Sequence, residues 1–490
     1  MTTQVPWQTC ELTLDRAGPA TLVDQIAGHI EAAIAQRVLP PGARLPSWRD
    51  LASQLGVARG TVRAAYEKLI DRGLLHAAGS AGTRVVARLP AGLHAVAADG
   101  AGLLPEDYHF RSGSALVFQM GVPAHDAFPA TLWARLHRQA VQATSLQSAY
   151  SDPRGLPELR AAIASHLAIA RGITCSPEQV IVTSGYRDGL GIALRAIGAG
   201  GKQAWIEDPG YPVTRFALEL SGIHPVAVPV DDAGLVVERG CELAPHAALA
   251  IVTPGQQAPR GVLLAPHRRQ ALIAWAARNR SWIIEDDYLA ELHLAGRSPD
   301  AMAADEGAER VIHIGTFSKT IAPMVGIGFL VAPLPLARRL IDVATWLTAP
   351  PNPAAQCALV SFLREGHYLR HLRRMRRLYG QRRERLLQTL AGLGVEQAAP
   401  AALSVLLPLP DGFDDQHLAR AARAHGLGPA PLSPWFAGAS QPRSGLMLAV
   451  ANVRERQVEQ DCRRLLGMID GALRQDGRLY EVAVGRQKPG

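Results

Sequence analysis

The sequence predicts an α/β chain in two parts: a small N-terminal winged helix-turn-helix and a large, mostly parallel sheet covered by helices. Three observations predict it. Two short helical patterns are joined by a glycine turn within the first 90 residues. An Ala/Gly/Pro-rich stretch, "PAGLHAVAADGAGLLPEDYH", then breaks all periodicity between 90 and 109. Beyond it, apolar strand-like runs alternate with amphipathic helical ones, the pattern of βαβ units. The expected domains are therefore 1–89, a semi-flexible linker over 90–109, and 110–490.

The N-terminal elements come first. "TLVDQIAGHIEAAIAQRVL" sets Leu22, Ile26, Ile30 and Ile34 on one helical face, and "PPG" ends it. In "LPSWRDLASQLGV", Ser47 is the expected N-cap of a second helix that turns Leu51 and Leu55 inward. Gly56 supplies the turn. "ARGTVRAAYEKLIDRGLL" follows, with Val62, Tyr66 and Leu69 on one face and Gly73 as the stop. In a helix-turn-helix, Arg59, Thr61 and Arg63 near the start of this third helix face the major groove of double-stranded DNA. "LLHAAGSAGTRVVARL" reads as a two-stranded wing turning at Gly79 to Gly82, with Gly82 among the candidate DNA contacts.

In the large part, "QVIVTSG", "KQAWIEDPGY", "HPVAVPVD", "ALAIVTPG", "SWIIEDDY", "RVIHIGTFSK" and "GIGFLVAP" read as strands. "LPELRAAIASHLAIARG" and "HRRQALIAWAARNR" read as helices between them. Several strand ends carry chemistry. "VIVTSGYRDGL" is a strand, a glycine turn and a helix start, which points free N–H groups at an anion such as a phosphate. "SWIIEDDYLAEL" ends a strand with Glu285, Asp286, Asp287 and Tyr288, and an acid buried there needs a cationic partner. The same triplet also fits a carboxylate-held Mg²⁺. "GTFSK" sets Lys319 at another strand end beside Thr316 and Ser318. A lysine for an aldehyde, a carboxylate and a phosphate cradle together describe a pyridoxal 5'-phosphate (PLP) site.

Composition narrows the classes. At 490 residues, 48% apolar and 19% charged, the chain has room for two to four ordinary cores. "MTTQVPWQTCELTLDR" lacks the basic start and apolar core of a signal peptide, and no apolar run approaches a membrane span. Cys10, Cys175, Cys241, Cys357 and Cys462 are scattered and odd in number, as expected of reduced thiols in a cytoplasmic protein. The formal charge is +8, but residues 338–385 alone hold eleven arginines against three acids. That stretch contains "HYLRHLRRMRRLYGQRRERL". A solvated or internally paired helix face explains it more simply than a nucleic-acid surface.

These motifs carry a resemblance. "LPSWRDLASQLGVARGTVRAAYEKL" resembles the winged helix-turn-helix of GntR-type repressors, which implies DNA contacts by Arg49, Arg59, Thr61 and Arg63. "YSDPRGLPELRAAIASHLAIARGITC", "EDPGYP", "IIEDDYLAEL", "IGTFSKTIAP" and "REGHYLRHLRRMRRLYGQRRERL" make residues 110–490 similar to fold-type I aminotransferases, with a smaller C-terminal α+β subdomain. The whole chain resembles MocR-type regulators. The resemblance implies a homodimer that senses PLP or an amine. Lys319 would be the Schiff-base lysine and Asp286 the pyridine-nitrogen partner. Tyr288 would bond the phenolic oxygen and Tyr211 stack on the ring. Gly185, Tyr186, Arg187, Thr316 and Ser318 would hold the phosphate.

Departures from the family pattern bear on function. Ala58 stands where Ser or Thr is usual. Gly326 replaces a phosphate-binding arginine, Gln256 and Ala258 replace a histidine and an aromatic residue, and Met447 replaces the arginine that grips an α-carboxylate. A charged contact contributes about 1.5–3 kcal/mol, so the amino-acid side of the site looks dismantled. A regulator that binds PLP through Lys319 is the leading expectation. An aminotransferase with an accessory DNA-binding domain, and a regulator that has lost PLP, are the alternatives. If Arg59 meets a base, Arg59→Ala weakens binding to a selected operator duplex by ~1–3 kcal/mol. An unchanged dissociation constant and footprint would remove this third helix from the reading role.

Overall fold

A computed structural model describes residues 14–15, 20–35, 38–77, 82–86, 115–144, 151–294, 296, 299–438 and 443–475. The chain forms two compact units, Met1–Leu103 and Leu104–Gly490. The linker expected over 90–109 lies outside the described residues.

In the first unit, α1 (Leu22–Ala35), α2 (Trp48–Leu55) and α3 (Arg59–Asp71) precede an antiparallel pair, β1 (Leu75–Ala77) and β2 (Thr83–Val85). This is the expected winged layout; the wing's turn at 78–81 lies outside the described residues. Ile26, Ile30, Ile34, Leu51, Val62, Tyr66, Leu69 and Val85 close one core. Ser47 Oγ accepts from Asp50 N at 3.2 Å and caps α2 as predicted. Gly56 ends α2 at φ 61°, a left-handed conformation that costs glycine no Cβ clash. The Tyr66 hydroxyl donates to Pro46 O at 3.0 Å and ties α3 to the start of α2.

The second unit is built on an eight-stranded sheet. Its strands are β3 (Val180–Thr183), β4 (Gln203–Asp208), β5 (His224–Asp231), β6 (Gly234–Leu235), β7 (Leu249–Val252), β8 (Trp282–Asp287), β9 (Val311–Thr316) and β10 (Gly328–Val331). They lie in the order β3-β10-β9-β8-β7-β4-β5-β6. From β9 through β5 the strands run parallel. β10 runs antiparallel to both β3 and β9. The connection from β9 to β10 spans only residues 317–327, too few for a helical crossover.

The helices are α4 (Ala130–Thr144), α5 (Pro157–Ala170), α6 (Tyr186–Ile197), α7 (Pro212–Leu220), α8 (Val237–Leu243), α9 (Pro266–Asn279), α10 (Leu334–Leu347), α11 (Pro353–Arg364), α12 (His367–Gly392), α13 (Asp415–Arg423) and α14 (Val458–Gln475). Both sheet faces are covered, so the strands are nearly all apolar. Ala204, Ile206, Leu249 and Ile251 pack with α6 and α10. Trp205, Ala250, Val252 and Ile283 point the other way, to α8 and α9, where Trp205 stacks on Trp275 at 3.9 Å. A second, antiparallel sheet forms the expected smaller α+β portion. Its strands β11 (Ala399–Ala401), β12 (Ser404–Pro408), β13 (Ala430–Pro431) and β14 (Gly445–Ala449) lie in the order β11-β12-β14-β13. No helix of the described residues is long and apolar enough to cross a membrane.

Ala58 occupies the N-cap of α3 with extended backbone, φ −64° and ψ 141°, and no side-chain bond to the first turn. The geometry of a cap is present without its oxygen. Ala58→Ser should therefore stabilise the first unit by ~1 kcal/mol, read as a higher urea midpoint. No gain would mean that the α3 amide groups are satisfied in another way.

Candidate functional site

The site gathers at the C-terminal ends of β4, β7, β8 and β9, where an α/β sheet exposes its loops and helix starts. Strand alternation divides the acids at the end of β8. Glu285 and Asp287 point to one face and Asp286 to the other.

On the first face the acids find cations. Asp287 accepts from Arg171 Nε at 2.7 Å, and Arg171 is itself 1% exposed. Glu285 bonds His313 Nδ1 at 2.9 Å and accepts from Met302 N at 2.7 Å. Burial pushes Glu285 up, but His313, the Met302 N–H and Arg171 outweigh it and hold the carboxyl at about 2. The three acids thus do not converge on one point, as the Mg²⁺ alternative would require. The cationic partner that sequence reasoning demanded is Arg171, at the end of α5, with His313 beside it. Neither was singled out, because nothing local marks a residue of α5 or β9 as the neighbour of β8.

Asp286 faces the other way. It is buried, and its Oδ1 has no hydrogen-bond partner among the described residues. Burial, then the negative Asp287 and Glu207, push its carboxyl well above the usual range, while Lys319 and the Tyr186 phenol oppose the shift. Lys319 follows β9. Burial pushes its ammonium below the usual range; Asp286 opposes the shift and Arg187 adds to it. Lys319 Nζ donates to Gly121 O at 2.7 Å. Gly121 has φ +77°, and a Cβ there would sit 3.0 Å from Nζ, so only glycine leaves this space at the amine.

The predicted residues come together around this pair. Tyr211, at the start of α7, lies with its ring 6.3 Å from Tyr186 and 5.8 Å from Trp435. Tyr186 and Thr214 hydroxyls bond at 2.9 Å. Tyr288 is close enough to Asp286, Glu207 and Tyr211 that their charge adds to burial in raising its phenol. Gly185 N-caps α6 without a side-chain bond, so the first amide groups of that helix face outward, as an anion site needs. Thr316 Oγ1 is 4.0 Å from the place a Gly185 Cβ would take, and it accepts from Ser318 N at 3.2 Å. Arg187 stands in the first turn of α6, near enough for its charge to act on Lys319 and Tyr211. Gly326 lies at φ +59° with open space around its missing Cβ.

The loop that carries Lys319 is held from behind by α12. Tyr368 donates to Glu291 Oε2 at 2.7 Å and bonds the Thr320 hydroxyl at 3.0 Å, and His371 bonds Thr320 O at 2.9 Å. On the other side Met447 is 1% exposed and packs with Ala401 and Leu432, against which Met120 and Phe436 also pack. Glu207 is buried below Tyr211. It accepts from Thr253 N at 3.0 Å, Thr253 Oγ1 at 2.6 Å and Gln257 Nε2 at 3.2 Å. Gln256 is buried, with Oε1 lacking a partner among the described residues.

In the first unit, Arg49, Arg59 and Arg63 are exposed and Thr61 is half-buried. Arg49 lies 4.8 Å over the Trp48 ring, and Arg63 pairs with Glu67 at 3.4 Å. A Cβ on Gly82 would approach Arg44 Nε to 3.1 Å, which adds Arg44 to the charges at the wing.

Comparison with known proteins agrees in both halves. Residues 22–85 match the profile of bacterial regulatory proteins of the gntR family, and residues 116–460 match that of aminotransferase class I and II. The protein described as probable rhizopine catabolism regulatory protein MocR, from Rhizobium meliloti, is 33% identical over 92% of this chain and 94% of its own length. The chain belongs to the MocR-type regulators. It is thus a DNA-binding transcriptional regulator joined to an aminotransferase-like domain of the PLP-dependent class. A second MocR-type relative, the HTH-type pyridoxine biosynthesis transcriptional regulator PdxR of Corynebacterium glutamicum, is 36% identical over 79% of this chain and 83% of its own. Among solved structures, an archaeal alanine:glyoxylate aminotransferase shares the fold with a TM-score of 0.66, at 23% identity over 73% of this chain and 92% of its own. LysN of Thermus thermophilus, solved with N-(5'-phosphopyridoxyl)-L-leucine, gives 0.65 at 24% identity, over 74% of this chain and 93% of its own.

Burial raises Glu207 to about 7, against the bonds from Thr253 and Gln257 that lower it. The folded MocR-type chain therefore binds this proton more tightly than the unfolded one. Stability from this group is full below the unfolded value near 4.5 and falls as pH rises to about 7. Between pH 5 and 7 Glu207→Gln should lose less stability than the parent, by about 2 kcal/mol, in urea melts at the two pH values. Parallel pH profiles would show that Glu207 does not carry the shift.

Proposed function

We propose that this chain is a cytoplasmic, homodimeric regulator whose aminotransferase-like domain holds PLP through Lys319 and responds to PLP or to PLP with an amine. One observation carries the reading: a partly desolvated lysine amine and a buried carboxyl with an oxygen unpartnered among the described residues share one small site. A PLP ring needs a nucleophile for its aldehyde and an acceptor for its pyridine N–H, and these two residues match both needs. When bound, the group supplies an electrophilic aldehyde conjugated to an electron-withdrawing ring. Lys319, held below its usual range, offers a larger neutral fraction for that aldehyde. Asp286 accepts the ring's N–H, Tyr288 donates to the phenolic oxygen, and Tyr211 covers one face. The N-terminus of α6, with Thr316 and Ser318, holds the phosphate. Arg187 supplies the cation that Gly326 does not.

Ordinary α-amino acid turnover is outside this reading. Met447 stands in an apolar cluster, so the substrate carboxylate would be desolvated without a counter-charge. The homodimer would cover exposed apolar groups of the second unit, among them Trp346 at 80% exposure and Leu347 beside it on α10.

A PLP titration followed by visible absorbance and by thermal shift tests the reading. Wild type should show a saturable visible band that Lys319→Ala loses. Arg187→Ala should raise the dissociation constant about tenfold or more, and adding Gly326→Arg to it should recover part of the loss. Common α-amino acids should give no multiple-turnover keto-acid product. A wild type without a band at saturation would make Lys319 a relic. An Arg187→Ala that binds like wild type would assign the phosphate cation elsewhere.

A further inference from the structure

The arginines of α12 divide into two sets. One set serves the core. Arg376 Nε donates to Glu291 O at 2.7 Å, Arg383 Nη1 donates to Ala402 O at 3.2 Å, and the buried Arg382 bonds Ala451 O and pairs with Asp126. These contacts hold the helix that braces the Lys319 loop.

The other set faces solvent. Arg370, Arg373, Arg374 and Arg377 are all exposed. Their spacings of three and four residues put them on one face, over about 10 Å of helix axis. None of them forms an ion pair with a carboxylate among the described residues. Among the described residues the Arg370 side chain bonds Glu365 O and His367 Nδ1. Like charges at these spacings destabilise a helix, so the arrangement is unfavourable until an anion faces it. The apolar face of α12, with Tyr368, Leu372, Met375, Tyr379 and Leu386, is already consumed by the core.

We propose that this arginine face is a second, sequence-independent nucleic-acid contact that grips backbone phosphates of duplex DNA, apart from the reading residues of α3. Duplex DNA presents one negative charge per ~1.7 Å of axis, dense enough to engage several guanidinium groups along the stripe. Arginine suits this role because its planar fork bonds phosphate oxygens in pairs. A lipid surface fits less well. Helices that lie on membranes insert an apolar face, and that of α12 is occupied. A two-fold contact between copies of the chain fits less well too, since it would set the same positive patch against itself. The chain also carries a module whose partner is a duplex, so the polyanion is one that it meets.

The test is the salt dependence of binding by the full chain to a random-sequence duplex of about 40 base pairs, between about 50 and 200 mM salt. Wild type is compared with the triple variant Arg373→Gln, Arg374→Gln, Arg377→Gln, with the corresponding Lys variant, and with Arg59→Ala. Each phosphate contact contributes about 0.9 to the slope of log K against log salt. The Gln variant should lose about two units or more of slope, and the Lys variant should keep its slope within about one unit. The losses from the Gln variant and from Arg59→Ala should add when combined, as for independent sites. An unchanged slope in a Gln variant with the wild-type thermal midpoint overturns the proposal. So does lost binding to phosphatidylserine vesicles with DNA binding intact, or a changed sedimentation coefficient, which would make the face a contact between copies. If the Gln variant fails to fold, an Arg373→Gln single variant should still lose about one unit, and no loss overturns the proposal.

Discussion

Burying three consecutive carboxylates at the end of β8 is the demand around which the site is built. A lone buried charge is too costly to keep, so each acid needs a cation, a set of donors, or a proton. Strand alternation allows only one solution. Glu285 and Asp287 take Arg171, His313 and the amide groups at 302 and 303, contributed by α5, β9 and the segment before β9. That network is structural, with His313 Nε2 a further 3.7 Å from Asp287 Oδ2. It leaves Asp286 on the opposite face, near Tyr186 and Lys319, with its Oδ1 unpartnered among the described residues. The chemical capacity of the site is the remainder of a packing problem solved elsewhere.

The second anchor is the loop between β9 and β10. A short return makes β10 antiparallel and holds Lys319 at the mouth of the sheet. Tyr368 and His371 of α12 then pin Thr320, the residue after the lysine. One helix thereby braces the loop with its buried face while its other face gathers arginines that form no ion pair among the described residues. The bracing explains why some of its polar residues point inward, and it also fixes which arginines are left for solvent.

The amine end of the site reads as one whose electrostatics have been simplified. Met447, Leu432 and Met120 pack in a hydrophobic cluster. Gly326 leaves open space rather than charge. Asp286, Lys319 and the start of α6 stand together at this site. On the function proposed above, such a site would keep what holds a cofactor and drop what orients a substrate for bond breaking.

The sequence by itself determined a great deal. Hydrophobic period placed the three helices of the first unit, and the strands "QVIVTSG" to "GIGFLVAP" all form where apolar runs are bounded by Gly, Pro and Asp. Lys319, Asp286, Tyr211 and the α6 turn were legible because each sits at a strand end with a local signature. The lost cap at Ala58 was legible for the same reason. Other features were not. Arg171 and His313 reach Asp287 and Glu285 from separate elements, and Gly121 meets Lys319 across 198 residues of chain. The division of the α12 arginines is of this kind: sequence gives their period, but only packing shows that Arg382 faces the core while Arg377 faces water. Local period and propensity act over a few residues, whereas pairing a buried charge depends on which distant strand or helix the sheet topology brings alongside it.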